Sequence, residues 1–199
     1  PAAYFSDILF PLQFTNATQI LTFGDNVELN ALGALPLNSQ LTGGITQSLI
    51  VFKGVSAMFQ ITGDAALGNL LVNAMPMATG TLAPRSITPT SKGLAFMSPE
   101  GMRIIDFSST VSDPIGSAGT GVTIPFTYCT TPSRVAAAAN GNVLRVSVQN
   151  NFNISPQYSE YWYDFPRGIW TGPHTFPANW IGLYNNTFIM APLVVPAAL

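Results

Sequence analysis

The stretch that decides the fold is "GLAFMSPEGMRIIDFS", residues 93–108. Two runs rich in apolar and aromatic residues flank a short break, which is a pattern typical of two neighbouring strands. The break, "SPEG" at 98–101, has proline in the second position and glycine in the fourth. These are favoured positions for the two residues in a type I turn. Residues 93–108 therefore predict an antiparallel β-hairpin.

A similar hairpin precedes this one in the chain. Residues 48–54, "SLIVFKG", and 55–64, "VSAMFQITGD", are both rich in β-branched and aromatic residues. Lys53 and Gly54 stand between the two runs and predict a turn.

Strand patterns continue after residue 108. Residues 142–151, "NVLRVSVQNN", alternate apolar and polar positions. "SEYWYDF" at 159–165 and "GIWTG" at 168–172 predict two strands on either side of a tight turn. "IGLYNNTFIMAP" at 181–192 predicts a hairpin whose turn is Asn185-Asn186, because asparagine tolerates a positive φ angle.

The strand units recur at a roughly constant period. They begin near Ser48, Gly93, Asn142 and Ile181, with spacings of about 45, 49 and 39 residues. Hairpin units at periods of 40 to 50 residues are typical of β-propeller blades. We therefore expect an all-β fold of antiparallel, propeller-like blades with about four repeats.

Residues 1–199 are expected to form one domain or a fragment of a larger propeller. A propeller of six blades with about 45 residues each needs about 270 residues, which is more than the 199 present. The start at Pro1 is also interpreted as that of a fragment or a processed product.

Helix is expected to be scarce. "DAALGNLLVNAM" at 64–75 is the best helix candidate, although Gly68 and the nearby Pro76 oppose it. A short helical turn is also possible in "PSRVAAAAN", residues 132–140. Three segments are predicted as loops: 79–92, 111–121 and 131–141.

Charged residues are unusually few. They make up 8% of the chain, against about 25% in an average globular domain. The formal net charge is −2, and the seven basic residues are scattered singly, so no basic face for tight nucleic-acid binding is expected. Cys129 is the single cysteine, which excludes an internal disulfide and a cysteine-based zinc site. No apolar run reaches the length of about 18 residues that a transmembrane helix requires. The basic residues are Lys53, Arg85, Lys92, Arg103, Arg134, Arg145 and Arg167.

Residues 159–174, "SEYWYDFPRGIWTGPH", contain the strongest candidates for chemistry. Glu160 and Asp164 suggest a carboxylate pair, and His174 suggests a base. However, residues four apart in a strand lie about 13 Å from each other, which is too far for a retaining glycosidase pair and long for an inverting one. No known nucleophile, metal or nucleotide motif accompanies them. We therefore predict a non-enzyme without catalytic, cofactor-binding or metal-binding residues and without a cofactor.

A structural role explains more of the same segment. Trp162 and Trp170 are large enough to fill the space between neighbouring blades. Asp164 is placed to accept backbone N–H groups from the turn that follows it. Arg167 is expected to pair with an acid or to remain solvated, and His174 to lie in a loop or at a rim.

Two of these segments carry a resemblance to a known group of proteins. "KGLAFMSPEGMRIIDF" at 92–107 and "YDFPRGIWTGPHTFP" at 163–177 resemble the nozzle or DNA-stabilisation proteins in the tails of short-tailed bacteriophages. The resemblance extends over roughly residues 20 to 192. It implies a β-propeller fold, a place in the virion and a homo-oligomeric ring, commonly sixfold. It also implies contacts with adaptor and fibre proteins, and genomic DNA that passes through the lumen without specific binding.

Two alternatives are open at the level of sequence. A capsid or decoration protein with a jelly roll also has low charge and many turns, but lacks a period of about 45 residues. A carbohydrate-binding propeller or carbohydrate enzyme needs acids and aromatic residues clustered at the mouths of several blades. The few acids here are scattered, which opposes catalysis more than weak sugar binding.

Overall fold

Antiparallel β-strands make up almost all regular structure in the protein. In the part of the chain that the structure describes there is no α-helix, and the all-β prediction is confirmed. Two short 3-10 turns, Pro84–Ser86 and Pro132–Arg134, interrupt the strands. Nor does this part contain a helix of the length and apolarity needed to cross a membrane. The computed structural model describes residues 2–4, 20–38, 45–64, 68–116, 129, 131–150, 157–174 and 178–192.

Fifteen strands form five antiparallel sheets within these residues. In every sheet the strands are neighbours in chain order, as in a meander. Sheet 1 comprises β1 (Ala2–Tyr4) and β2 (Ile20–Thr22). Sheet 2 comprises β3 (Leu29–Asn38), β4 (Ile45–Lys53), β5 (Ala57–Thr62) and β6 (Leu71–Ala74). Sheet 3 comprises β7 (Thr88–Thr90), β8 (Gly93–Ser98) and β9 (Gly101–Ile105). Sheet 4 comprises β10 (Ala136–Asn140), β11 (Val143–Asn150), β12 (Gln157–Asp164) and β13 (Ile169–His174). Sheet 5 comprises β14 (Ala178–Tyr184) and β15 (Thr187–Pro192).

The predicted hairpins are present. In sheet 3, Ser98 pairs with Gly101 across the predicted turn. In sheet 5, Asn185 and Asn186 have φ angles of 48° and 58°, as expected for the turn between β14 and β15. The sequence pattern therefore located these two turns correctly, because each depends on local residue preferences. The turn predicted at Lys53-Gly54 begins one residue later, since Lys53 ends β4 and pairs with Ala57.

The sheets stack face to face in chain order, and sheet 3 shows why. All six residues of β8 are buried. Leu94 and Phe96 pack in one cluster with residues of sheet 2, whereas Ala95 and Met97 pack in another with residues of sheet 4. Because successive side chains in a strand point to opposite faces, a strand covered on both sides is apolar at nearly every position. Sheet 3 is therefore an inner layer of the stack.

The first strands of sheets 2 to 5 lie close together. β3 contacts β7, β7 contacts β10, and β10 contacts β14. Small residues permit this approach: a Cβ on Gly33 would lie 2.6 Å from Leu94 Cδ2 and 2.7 Å from Ile87 Cγ2. In β10, four successive alanines, residues 136–139, are all buried. The sheets therefore approach one another at the strands that begin them.

The helix predicted over residues 64–75 is wrong. Residues 71–74 form β6, which pairs with β5 at the edge of sheet 2. Two of the predicted loops also contain strands, since β7 lies within 79–92 and β10 within 131–141. The helical turn predicted in 132–140 is confined to its first three residues. In each case pairing with a neighbouring strand outweighs a weak local preference. Of the loop predicted at 111–121, residues 117–121 lie outside the described residues.

The fold predicts the far-ultraviolet circular dichroism spectrum of the purified chain. We expect a single β-type minimum, because strands dominate the described residues and no α-helix occurs among them. The same protein in trifluoroethanol provides a reference for induced helix. A double helical minimum in aqueous buffer would contradict the fold.

Candidate functional site

Residues 159–174, which contain the strongest sequence candidates for chemistry, lie in the hairpin of β12 and β13. Its turn is organised by Asp164, whose Oδ1 accepts the backbone N–H of Arg167 at 3.2 Å. Asp164 Oδ2 also pairs with the Arg167 guanidinium at 3.1 Å, and the backbone N–H of Gly168 donates to the carbonyl of Asp164 at 2.8 Å. Both the predicted capping role of Asp164 and the pairing of Arg167 with an acid are confirmed.

The hairpin directs its large side chains to two opposite faces of sheet 4. Tyr161, Tyr163 and Trp170 belong to the apolar cluster shared with sheet 3. Trp170 is 7% exposed, and its indole N–H donates to the carbonyl of Ile115 at 2.9 Å. The prediction that Trp170 fills space between layers is therefore confirmed.

The other face of sheet 4 carries a group of polar and aromatic residues that we call the polar cluster: Arg145, Ser147, Glu160, Trp162 and His174. Strand register brings them together. Arg145 is opposite Trp162, and Ser147 is opposite Glu160 across β11 and β12. Glu160 is in turn opposite His174 across β12 and β13, where the register shifts between Glu160 and Trp162.

Glu160 is the centre of the polar cluster. Its side chain is fully buried, and its Oε1 forms an ion pair with Arg145 and accepts the indole N–H of Trp162 at 2.8 Å. No hydrogen bond to Oε2 occurs among the described residues. The imidazole of His174 lies against the Trp162 ring, with 4.6 Å between ring centroids. Glu160 is therefore held by a cation and an indole, and its carboxylate is closed to solvent.

Sheet 5 covers the polar cluster. Ser147 Oγ donates to the carbonyl of Ala178 at 2.6 Å. The Arg145 guanidinium carbon lies 5.0 Å from the Trp162 ring centroid and 4.8 Å from that of Phe188, so the cation is held between two aromatic rings. The contact between sheets 4 and 5 thus contains a buried ion pair, whereas the contact between sheets 3 and 4 is apolar.

The suggested carboxylate pair is not formed. Glu160 pairs with Arg145 inside the sheet stack, and Asp164 pairs with Arg167 at an exposed turn. Trp162 was predicted to fill space between neighbouring blades. In the structure its indole N–H also donates to the buried carboxylate of Glu160, so its surroundings are not purely apolar. Sequence reasoning placed His174 in a loop or at a rim, but it is the last residue of β13 and lies opposite Glu160.

Sequence reasoning also missed the role of Arg145. The available signal was a basic residue on the polar side of the alternating segment 142–151. Ser147 and Gln149 on the same side are also buried. An alternating pattern cannot reveal that a second sheet covers the polar face.

Sheets 2, 3 and 4 each contain one basic residue whose side chain is largely shielded from solvent. Lys53 is 4% exposed and pairs with Asp25 at 2.5 Å, which lowers the pKa of Asp25. Arg103 is 9% exposed and donates to the carbonyl of Ser112 at 2.7 Å. With Arg145, three of the seven basic residues have structural partners within the stack. Three of the scattered basic residues thus correspond to one such residue in each of sheets 2, 3 and 4.

The described residues contain no group of three or more histidine, cysteine, aspartate or glutamate side chains that could hold a metal ion. Cys129 is buried in the cluster between sheets 3 and 4.

The environment of Cys129 predicts slow thiol chemistry. Burial raises its pKa to about 12, so little thiolate exists at neutral pH. We expect negligible reaction with a disulfide reagent such as Ellman's reagent in native buffer and one rapid equivalent in denaturant. The denatured sample is the control for reagent activity, and fast labelling of the native chain would contradict the buried position.

Comparisons of the chain with protein-family models, with curated proteins and with solved structures found no match.

Proposed function

We propose that this chain is a structural protein of a bacteriophage virion, a part of the tail nozzle that continues the DNA exit channel and helps to retain the genome. The observation that carries the proposal is the resemblance of residues 92–107 and 163–177 to proteins of that group. In the structure residues 92–107 contain β8 and β9 of sheet 3, and residues 163–174 contain the end of β12 and all of β13 in sheet 4. In this proposal the chain forms a homo-oligomeric ring, commonly sixfold in that group, beside adaptor and fibre proteins.

The arrangement of the sheets supports a propeller-like organisation. Sheets 2, 3 and 4 are antiparallel meanders that follow each other in the chain and pack face to face. The contacts between successive first strands, β3 with β7, β7 with β10 and β10 with β14, together with the small residues there, fit blades that converge towards an axis. In the proposed propeller these first strands are the innermost strands of about four blades.

The distribution of charge supports a passive DNA channel. Three of the seven basic residues are engaged in internal contacts, which leaves Arg85, Lys92, Arg134 and Arg167 as the exposed ones. So few exposed cations release few counterions from DNA. In the proposed ring, DNA slides through a lumen that binds it weakly, with little dependence on salt.

The geometry of the polar cluster supports a non-enzymatic role. A general acid or base must reach the substrate within hydrogen-bond distance. Glu160 is fully buried, and Asp164 is occupied by the turn and by Arg167. In the proposal both acids act in folding, and no cofactor takes part.

The sheet topology disfavours the jelly-roll alternative. A jelly roll consists of Greek keys, in which a long connection places a later strand beside an earlier one. In all five described sheets, neighbouring strands are consecutive in the chain.

The carbohydrate-binding alternative has one favourable observation, because Trp180 and Tyr184 are 41% and 72% exposed. Absence of binding on a glycan array would exclude that alternative.

Analysis of purified virions tests the proposal. Mass spectrometry of isolated tails is expected to detect the chain, and cross-linking of intact tails is expected to give a closed ring of identical copies. A major capsid protein serves as the positive control for virion purity. If the chain occurs only as a free monomer in infected cells and is absent from virions, the proposal is wrong.

A further inference from the structure

A cavity of about 460 Å³ lies where the first strands of sheets 3, 4 and 5 approach one another. Its walls come from β7, β10 and β14 and from the 3-10 turn that precedes β7. A second cavity of about 360 Å³ shares Pro89 and Ala139 with the first and adds Thr90, Ser91 and Gly141. Sites for small molecules have volumes of about 300–1,000 Å³. The junction of the three sheets therefore has room for a small ligand.

The larger cavity meets the edges of strands and not only their faces. Successive residues in a strand point to opposite faces, and Ala137 and Ala139 pack in the cluster shared with sheet 3. The cavity touches Ala138 between them as well, and on β14 it touches the four successive residues 180–183. β7, β10 and β14 are each hydrogen-bonded to a neighbouring strand on one side only. Since edge strands have unpaired backbone N–H and C=O groups, the cavity offers both donors and acceptors.

An indole forms one wall of the larger cavity. The Trp180 ring lies against the backbone at Gly182, where an added Cβ would be 2.2 Å from Trp180 Cη2. The ring is nevertheless 41% exposed, so one of its faces remains available. The face of an indole carries negative partial charge, which attracts the C–H groups along one side of a sugar ring.

The same cavity has a single positive charge. Of the residues that line either cavity, Arg85 alone is charged. It lies in the 3-10 turn Pro84–Ser86 and is exposed. Within the described part of the chain its guanidinium has no hydrogen bond or ion pair. A guanidinium binds a carboxylate through two parallel N–H···O bonds. Arg85 therefore favours a ligand that places one negative charge in the cavity.

We infer that this cavity binds a carboxylated sugar. Its carboxylate pairs with Arg85, the C–H side of its ring stacks on Trp180, and its hydroxyl groups bond to the free backbone groups of the strand edges. The inference goes beyond the virion role proposed above and does not depend on it.

Two other classes of ligand fit the cavity less well. A phosphate monoester carries about 1.5 to 2 negative charges at neutral pH, and one guanidinium does not balance them. An added peptide strand needs a continuous row of backbone partners. β7 is only three residues long, and Pro89 in its centre has no N–H to donate.

Calorimetric titration of the purified chain with digalacturonate tests the inference. We expect saturable binding, and binding of the fully methyl-esterified disaccharide that is about tenfold weaker or less, because the ester keeps the rings but lacks the charges. Arg85→Gln should weaken binding of digalacturonate to the level of the ester and abolish the preference between the two. Trp180→Ala should weaken binding of both by about tenfold, because it removes the stacking face.

Two control variants separate the site from general effects of charge and exposed apolar surface. Arg134→Gln removes an exposed cation from the similar 3-10 turn before sheet 4, and Arg134 lines neither cavity. Leu71→Ala removes an apolar side chain that is 61% exposed on β6. Neither variant should change the affinity for digalacturonate. Circular dichroism shows whether each variant is folded.

Three results would overturn the inference. The first is the lack of saturable binding of digalacturonate up to millimolar concentration. The second is unchanged affinity in folded Arg85→Gln and Trp180→Ala. The third is tighter, Arg85-dependent binding of adenosine monophosphate or of a single-stranded DNA oligonucleotide, which would make the cavity a phosphate site. None of these results bears on the virion role, which the analysis of isolated tails tests separately.

Discussion

Replacing Arg145 by methionine is expected to lower the free energy of unfolding by about 3–5 kcal/mol. The substitution leaves the fully buried carboxylate of Glu160 without its cation. Trp162 still donates to Oε1, but a neutral indole N–H does not balance a buried charge. Chemical denaturation followed by tryptophan fluorescence measures the loss. Since the polar cluster joins sheets 4 and 5, the slope of the transition also reports whether sheet 5 stays packed in the native state.

Two further variants separate charge from packing. Arg167→Met makes the same change at an exposed ion pair in the same sheet, where the Arg167 side chain is 75% exposed, and it should cost no more than about 1 kcal/mol. Arg145→Met combined with Glu160→Gln removes both charges and keeps an acceptor for Trp162, so it should recover much of the stability. Equal losses for Arg145→Met and Arg167→Met would contradict the structural role of the buried pair.

Trp170→Ala is expected to lower the free energy of unfolding by about 3–5 kcal/mol, because it leaves a cavity between sheets 3 and 4. The indole packs on Tyr163, with 5.0 Å between ring centroids. It also satisfies the carbonyl of Ile115 through a hydrogen bond of 2.9 Å. Gly116 lies close beneath the ring, since an added Cβ there would be 2.2 Å from Trp170 Cδ1. The loop after β9 should therefore loosen together with the core, which hydrogen exchange of sheet 3 can detect.

Two further variants, Trp170→Phe and Trp180→Ala, provide the comparison for this prediction. Trp170→Phe keeps an aromatic ring but removes the N–H donor, so its smaller loss isolates the hydrogen bond to Ile115. Trp180→Ala removes a side chain that is 41% exposed and should destabilise a single chain less than Trp170→Ala. If Trp180→Ala and Trp170→Ala cost the same in denaturation of the monomer, Trp170 does not have the packing role described above.

The positions of the four hairpins and of most of their turns were predictable because they depend on neighbouring residues. The turns at 98–101 and 185–186 occur where proline, glycine and asparagine favour them. The capping of the turn by Asp164 has the same local origin. Failures occurred where local preference was weak, as at Leu71–Ala74, which forms an edge strand in place of the predicted helix.

The alanine run at 136–139 shows how tertiary contacts override propensity. Alanine has the highest intrinsic helix preference of all residues, and the sequence around it suggested a helical turn or a loop. In the structure the run lies in β10, between β7 and β14, where the sheets approach closely. Small side chains are required at that place because larger ones would separate the layers. The strand conformation of these alanines depends on β7 and β14, which are distant from them in sequence.

The polar cluster likewise could not be predicted from the sequence, although the identity of each of its residues is given there. The residues of 159–174 determined by themselves a hairpin, a capped turn and two large aromatic side chains. Only the tertiary structure decided that Glu160 meets Arg145, since these residues are 15 positions apart and lie on different strands. Sheet 5 packs on this face of sheet 4 and buries polar side chains that would otherwise be exposed to solvent. Local chemistry sets turns and alternation, whereas burial depends on which sheet covers a face, and that is settled by packing across the whole chain.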